Sequence, residues 1–161
     1  YDYRRIAWGR SAFVYARPHV TMLSKGGGKT VVLDAQYRGR DEAVLMAAIE
    51  VNGGRAVLEV THLDVRASDD LRVQQAGEAH KHGRGFARWW RRTPSFEVLA
   101  VDHNAPSGAV TAALSKAGRV LSARDRRCGI YLGKNRPEWS RRTIAAPSDH
   151  DLLITYLARK A

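Results

Sequence analysis

Residues 55–64 read RAVLEVTHLD, and the way this stretch ends decides the fold. Ala56, Val57, Leu58 and Val60 make an apolar run of strand length, and it stops on Thr61, His62, Leu63 and Asp64. Polar groups at the end of an apolar strand are costly to bury unless they have partners or a task. Two further stretches repeat the pattern. Residues 96–101 (FEVLAV) run into Asp102, His103 and Asn104, and Ser148, Asp149, His150 and Asp151 stand just before 152–157 (LLITYL). Side chains at i and i+2 of a strand face the same side, so Asp102 and Asn104 can share one site. Three such groups at strand ends predict a single polar site at one end of a sheet.

Working outward, residues 11–16 (SAFVYA), 30–33 (TVVL), 43–51 (AVLMAAIEV) and 129–132 (GIYL) read as further buried or half-buried strands. Asn52, Gly53 and Gly54 form a hairpin turn between two of the runs, supplying the positive φ that such a turn needs. Ser68, Asp69 and Asp70 offer caps for a helix over 71–82. A second helix covers 107–117, with Val110, Ala113, Leu114 and Ala117 on one face and Gly118 as its stop. These elements predict an α/β (α+β) domain on a mostly antiparallel, hairpin-linked sheet covered on both sides. The 161 residues suit one domain over 1–161, able to bury roughly 70% of its unfolded surface without staples.

Composition narrows the function. The 27 Lys+Arg outweigh 16 Asp+Glu, a net charge of +11. Of the basic residues 21 are arginine, the side chain whose planar fork suits phosphate. This is the footprint of a polyanion binder, and nucleic acid is the expected partner. Cys128 is the only cysteine, which excludes a disulfide framework and a cysteine-built zinc site. No apolar run approaches the ~20 residues of a membrane span, and no charged-then-apolar leader is seen, so no membrane partner and a cytoplasmic location are expected. Gly28-Lys29-Thr30 would end a P-loop only with a glycine at 23, where Leu23 stands, and a strand rather than a helix follows. His80 and His82 read as a solvated helix end. Arg84, Arg88, Arg91 and Arg92 interleave with Phe86, Trp89 and Trp90. This is the candidate nucleic-acid-contacting loop, with one tryptophan expected inside and the arginines exposed. Arg136 and Lys134 add cationic charge for phosphoryl oxygens.

THLD, DHN and SDHDLLIT, in this order, resemble the endonuclease/exonuclease/phosphatase superfamily, the fold of DNase I. The resemblance implies two packed mixed, mostly antiparallel sheets flanked by helices, and a metal-dependent phosphodiesterase, a nuclease in view of the charge. It implies His150, oriented by Asp149, as general base on the attacking water. Asp102 would position that water or a metal, Asn104 would hold a phosphate oxygen, and His62 would donate to the scissile phosphate or protonate the leaving oxygen. Mg²⁺ or Mn²⁺ is the implied cofactor, with Asp102 and Asp149 as candidate ligands. The family's opening third, with its metal-binding Glu, has no counterpart, and neither Glu42 nor Glu50 sits in a matching motif. The domain therefore reads as N-terminally incomplete, with the missing part supplied by a longer parent or a partner chain. The family also carries an Asp where residues 127–131 here read RCGIY. The alternative is a catalytically impaired descendant that serves as a basic nucleic-acid-binding or assembly protein.

Overall fold

The computed structural model describes residues 2–8, 11–17, 20–24, 28–51, 53–89, 96–106, 108–133, 138–145 and 152–158. The chain opens with β1 (Asp2–Trp8), β2 (Ser11–Arg17), β3 (Val20–Met22) and β4 (Lys29–Val32). The hairpin of β5 (Ala43–Val51) and β6 (Gly54–His62) follows, then α1 (Asp69–Trp89) and β7 (Phe96–Asp102). Next come α2 (Gly108–Lys116), β8 (Val120–Arg124), β9 (Cys128–Leu132), β10 (Glu138–Ile144) and β11 (Leu152–Ala158).

One mixed sheet of seven strands carries the molecule, in the order β3-β5-β6-β7-β9-β8 with β4 also on β5. Its neighbours are antiparallel except β6 and β7, which run parallel. Parallel neighbours need a crossover, and α1 fills it. The alternating residues Val44, Met46 and Ala48 of β5 pack with Ala79, Phe86 and Ala87 of α1 in one core. Leu45, Ala47 and Ile49, on the opposite face of the same strand, are also buried. That accounts for the unbroken apolar run at 43–49, since a strand covered on both sides has no polar face. A second core joins Leu63, Leu99, Val101 and Tyr131 to Val110 and Leu114 of α2. The hairpins β1–β2 and β10–β11 form two smaller sheets, β2 lying against β5 and β6, β10 and β11 against β8. The mixed, mostly antiparallel α/β architecture is the expected one.

Two expectations are corrected. The first helix does not end at 82 but continues to Trp89, so Arg84, Arg88 and Trp89 stand on its last turns rather than in a loop. Burial of Phe86 and Ala87 holds the helix past Gly83 and Gly85. Four strands, β1, β3, β8 and β10, were not expected at all. α1 starts as its caps require, with the Leu71 amide donating to Ser68 Oγ at 3.3 Å. α2 stops at Gly118 (φ 89°), where the Arg119 amide reaches back to the Leu114 carbonyl at 2.9 Å. Among the described residues, no helix is long and apolar enough to cross a membrane.

Candidate active site

Because β6 and β7 are parallel, both end at the same edge of the sheet, and His62 and Asp102 are cross-strand partners there. The two chain exits are tied together by the Leu63 amide, which donates to the Asp102 carbonyl at 2.9 Å. Asp102 then turns the chain: its Oδ1 accepts the Asn104 amide at 2.9 Å, and Asn104 takes the left-handed conformation (φ 57°) that asparagine tolerates. This turn, rather than strand alternation, brings Asn104 to the face of Asp102. Asn104 Nδ2 donates to the Leu63 carbonyl at 2.5 Å and lies 3.1 Å from His62 Nε2.

The His62 ring has a carboxylate near each nitrogen. Asp102 Oδ2 is 3.7 Å from Nε2, and Glu42 Oε2 is 3.7 Å from Nδ1. Glu42 sits in no matching motif of the family, so the resemblance does not single it out. The hairpin register could have found it: Val51 faces Gly54 and Val44 faces Thr61, so Glu42 falls beside the chain leaving His62. Behind this cluster α1 grips the chain after His62. Gln75 Oε1 accepts the Asp64 amide at 3.2 Å, and Arg72 Nη1 reaches the Val65 carbonyl at 3.4 Å.

His103 is turned into the interior instead. It is buried, its Nε2 is 2.9 Å from the Tyr131 hydroxyl, and that hydroxyl is 2.9 Å from Thr111 Oγ1 on α2. Burial pushes its pKa down to about 4, against the pull of Asp102 and Asp125, so the ring is a neutral anchor for the turn. His80 also departs from expectation. It is half-buried rather than solvated, Arg119 Nε donates to its Nδ1 at 3.0 Å, and burial with that arginine lowers it to about 4.

Asp149 and His150 lie outside the described residues, as do Trp90, Arg91, Arg92 and Arg136. The described members of the nucleic-acid set, Arg84, Arg88 and Trp89, are exposed on α1, and Trp89 is 71% accessible. They lie toward the far end of that helix from His62, ~14 to ~21 Å of helix beyond Gln75.

A divalent cation needs several oxygen ligands. Among the described residues no three His, Cys, Asp or Glu side chains stand close enough to hold one. Asp102 already spends Oδ1 on the Asn104 amide, and Glu42 faces the other end of the imidazole. The described residues alone do not fit a metal site.

No family model matches the sequence, and no curated protein matches it. Solved structures do. The chain is similar to the mannosyl-6-phosphatase of Bacteroides thetaiotaomicron at 14% identity and a TM-score of 0.72, over 97% of this chain and 77% of that one. It is similar to the human Nocturnin catalytic domain with bound sulfate at 14% identity and 0.69, over 89% of this chain but only 62% of that one. An endonuclease/exonuclease/phosphatase family protein, also from Bacteroides thetaiotaomicron, aligns at 15% identity and 0.67, over 94% and 71% of the two chains. With a parallel β6–β7 junction that ends in His62 and the Asp102–Asn104 turn, this chain has the endonuclease/exonuclease/phosphatase fold.

Proposed function

We propose that the chain hydrolyses phosphate esters at the sheet edge where β6 and β7 end, and that phosphodiesters of nucleic acid are its substrates. The observation that carries the reading is the meeting of His62, Asp102 and Asn104 at one sheet edge, on a fold similar to that of a phosphatase. Phosphoester hydrolysis needs an activated water, donors to the phosphoryl oxygens and a proton for the leaving oxygen. Asn104 keeps one amide hydrogen on the Leu63 carbonyl, and the other is the one a phosphoryl oxygen would take up. His62, held between Asp102 and Glu42, is assigned protonation of the leaving oxygen. Water activation is assigned to His150 with Asp149. The net charge of +11 favours a polyanionic substrate.

A second reading, a basic nucleic-acid-binding or assembly protein without turnover, has one observation in its favour. Asp102 has Cys128 as its partner across β7 and β9, in the stretch where the resemblance calls for a carboxylate. The test is hydrolysis of bis(p-nitrophenyl) phosphate and of a labelled oligonucleotide, with Mg²⁺, Mn²⁺ or EDTA present. Turnover that His62→Ala abolishes supports the hydrolase. Oligonucleotide binding without turnover under every condition gives the case to the second reading.

A further inference from the structure

The turn that carries Asp102 and Asn104 has a second side. There His103 and Pro106 meet the start of α2 and the turn between β8 and β9, and together they enclose a cavity of about 300 Å³. We propose that this cavity holds a second phosphate group of the substrate, next to the one that is cleaved. It rests on the hydrolase reading and names the feature of the substrate that the site selects.

One wall is polar and fixed in advance. His103 lines the cavity although it is only 3% exposed. Its ring is held by Tyr131, whose hydroxyl is 2.9 Å from Nε2 and 2.9 Å from Oγ1 of Thr111, a further lining residue. Gly129 makes room for this arrangement, since a Cβ there would come within 2.8 Å of the Tyr131 ring. Among the described residues His103 Nδ1 has no hydrogen-bond partner. With Thr111 donating to Tyr131 and Tyr131 donating to Nε2, the neutral ring offers its Nδ1–H to an incoming oxygen. A nearly buried donor left without an acceptor is costly, and a ligand oxygen removes that cost.

Charge identifies the ligand. Arg124, the last residue of β8, and Arg126, in the turn after it, are exposed, and among the described residues neither has an ion-pair partner. Asp125 is the one carboxylate among the described lining residues, and its Oδ1 already accepts the amides of Arg127 and Cys128. Gly108 brings in the opening of α2, a nine-residue helix with no acidic side chain in its first turn. Two guanidinium groups beside a helix N-terminus complement a phosphate. The size agrees. Small-molecule sites run ~300–1,000 Å³, and the low end suits a charged group rather than a large planar ligand. Position ties the cavity to the substrate. His103 stands between Asp102 and Asn104, and Pro106 is two residues, roughly 7 Å of chain at most, from Asn104. Two phosphates of one nucleic-acid strand can therefore occupy both places.

The test is isothermal titration of the full chain, with EDTA present, against three thymidine dinucleotides: one bare, one with a 5′-phosphate and one with a 3′-phosphate. One of the two phosphorylated ligands should bind about tenfold or more tightly than the bare one. Arg124→Ala combined with Arg126→Ala should bring that ratio to about one while circular dichroism stays unchanged. Lys116→Ala, which removes a cation at the other end of α2, should keep the ratio. No gain from either end phosphate overturns the site, and so does a gain that survives the double variant. Inorganic phosphate that binds as tightly as the phosphorylated dinucleotide, and is lost in the double variant, overturns it in favour of a site for free phosphate. A preference that the double variant removes upholds the cavity whether or not bis(p-nitrophenyl) phosphate is hydrolysed. Hydrolysis of that ester with no preference among the dinucleotides removes the cavity and leaves the hydrolase reading intact.

Discussion

Arg119 Nη2 lies 2.7 Å and 2.8 Å from the two carboxylate oxygens of Glu59, and both side chains are shut off from water. The pair fastens the chain entering β8 to the middle of β6, and Arg119 also holds His80 of α1. Removing one partner of a buried pair strands the other charge. Arg119→Met should therefore cost about 3–5 kcal/mol, and Arg119→Met with Glu59→Leu much less. Urea denaturation of both variants checks this, and equal losses would refute it.

Two glycines of α1 should respond to alanine in opposite directions. Gly77 faces open space, so Gly77→Ala should stabilise by about 0.5–1 kcal/mol. A Cβ at Gly83 would run into the Glu59 carboxylate, so Gly83→Ala should destabilise despite its better helix propensity. Thermal unfolding of the two variants side by side decides.

Two buried groups and one half-buried group shape the response to pH. Burial lowers His80 and His103 to about 4 from 6.5, and raises Glu59 to about 7 from 4.5 against the pull of Arg119. Each histidine contributes stability that is complete above pH 6.5 and is lost as pH falls through about 4. Glu59 contributes stability that is complete below pH 4.5 and is lost as pH rises through about 7. Two groups outweigh one, so stability should climb from about pH 4 to 6.5, then decline through 7 where Glu59 acts alone. Urea midpoints across this range test the shape, and a steady rise to pH 8 would contradict it.

Asn104→Gly separates the backbone of the site from its chemistry. Glycine accepts the positive φ at this position, so the Asp102 turn should survive. The amide that reaches His62 and Leu63 is lost. Hydrolysis should fall by roughly 10²–10³-fold with little change in unfolding temperature. An unaffected rate would take Asn104 out of the mechanism.

How much of this was legible depended on burial. β5 is covered on both faces, and its run at 43–51 could be read to the residue. β1 (DYRRIAW) and β10 (EWSRRTI) each carry two adjacent arginines, which hide any apolar period. Glu59 interrupts an apolar strand, and its partner Arg119 stands 60 residues away, so no local pattern could pair them. In the cleft, His62, Asp102 and Asn104 were visible because polar residues ending apolar strands stand out. Glu42 was not, since it enters only through the register of a hairpin.

The parallel junction of β6 and β7 carries a kinetic consequence. Local hairpins such as β5–β6 can close early, but β6 meets β7 only across a long sequence separation that contains α1. Contacts that close long loops are slow to form, and parallel pairing is slow among them. His62 and Asp102 come side by side at the last register position of that pairing. During refolding, the cleft is thus assembled after the helix and hairpins that surround it, and recovery of activity would time the completion of the fold.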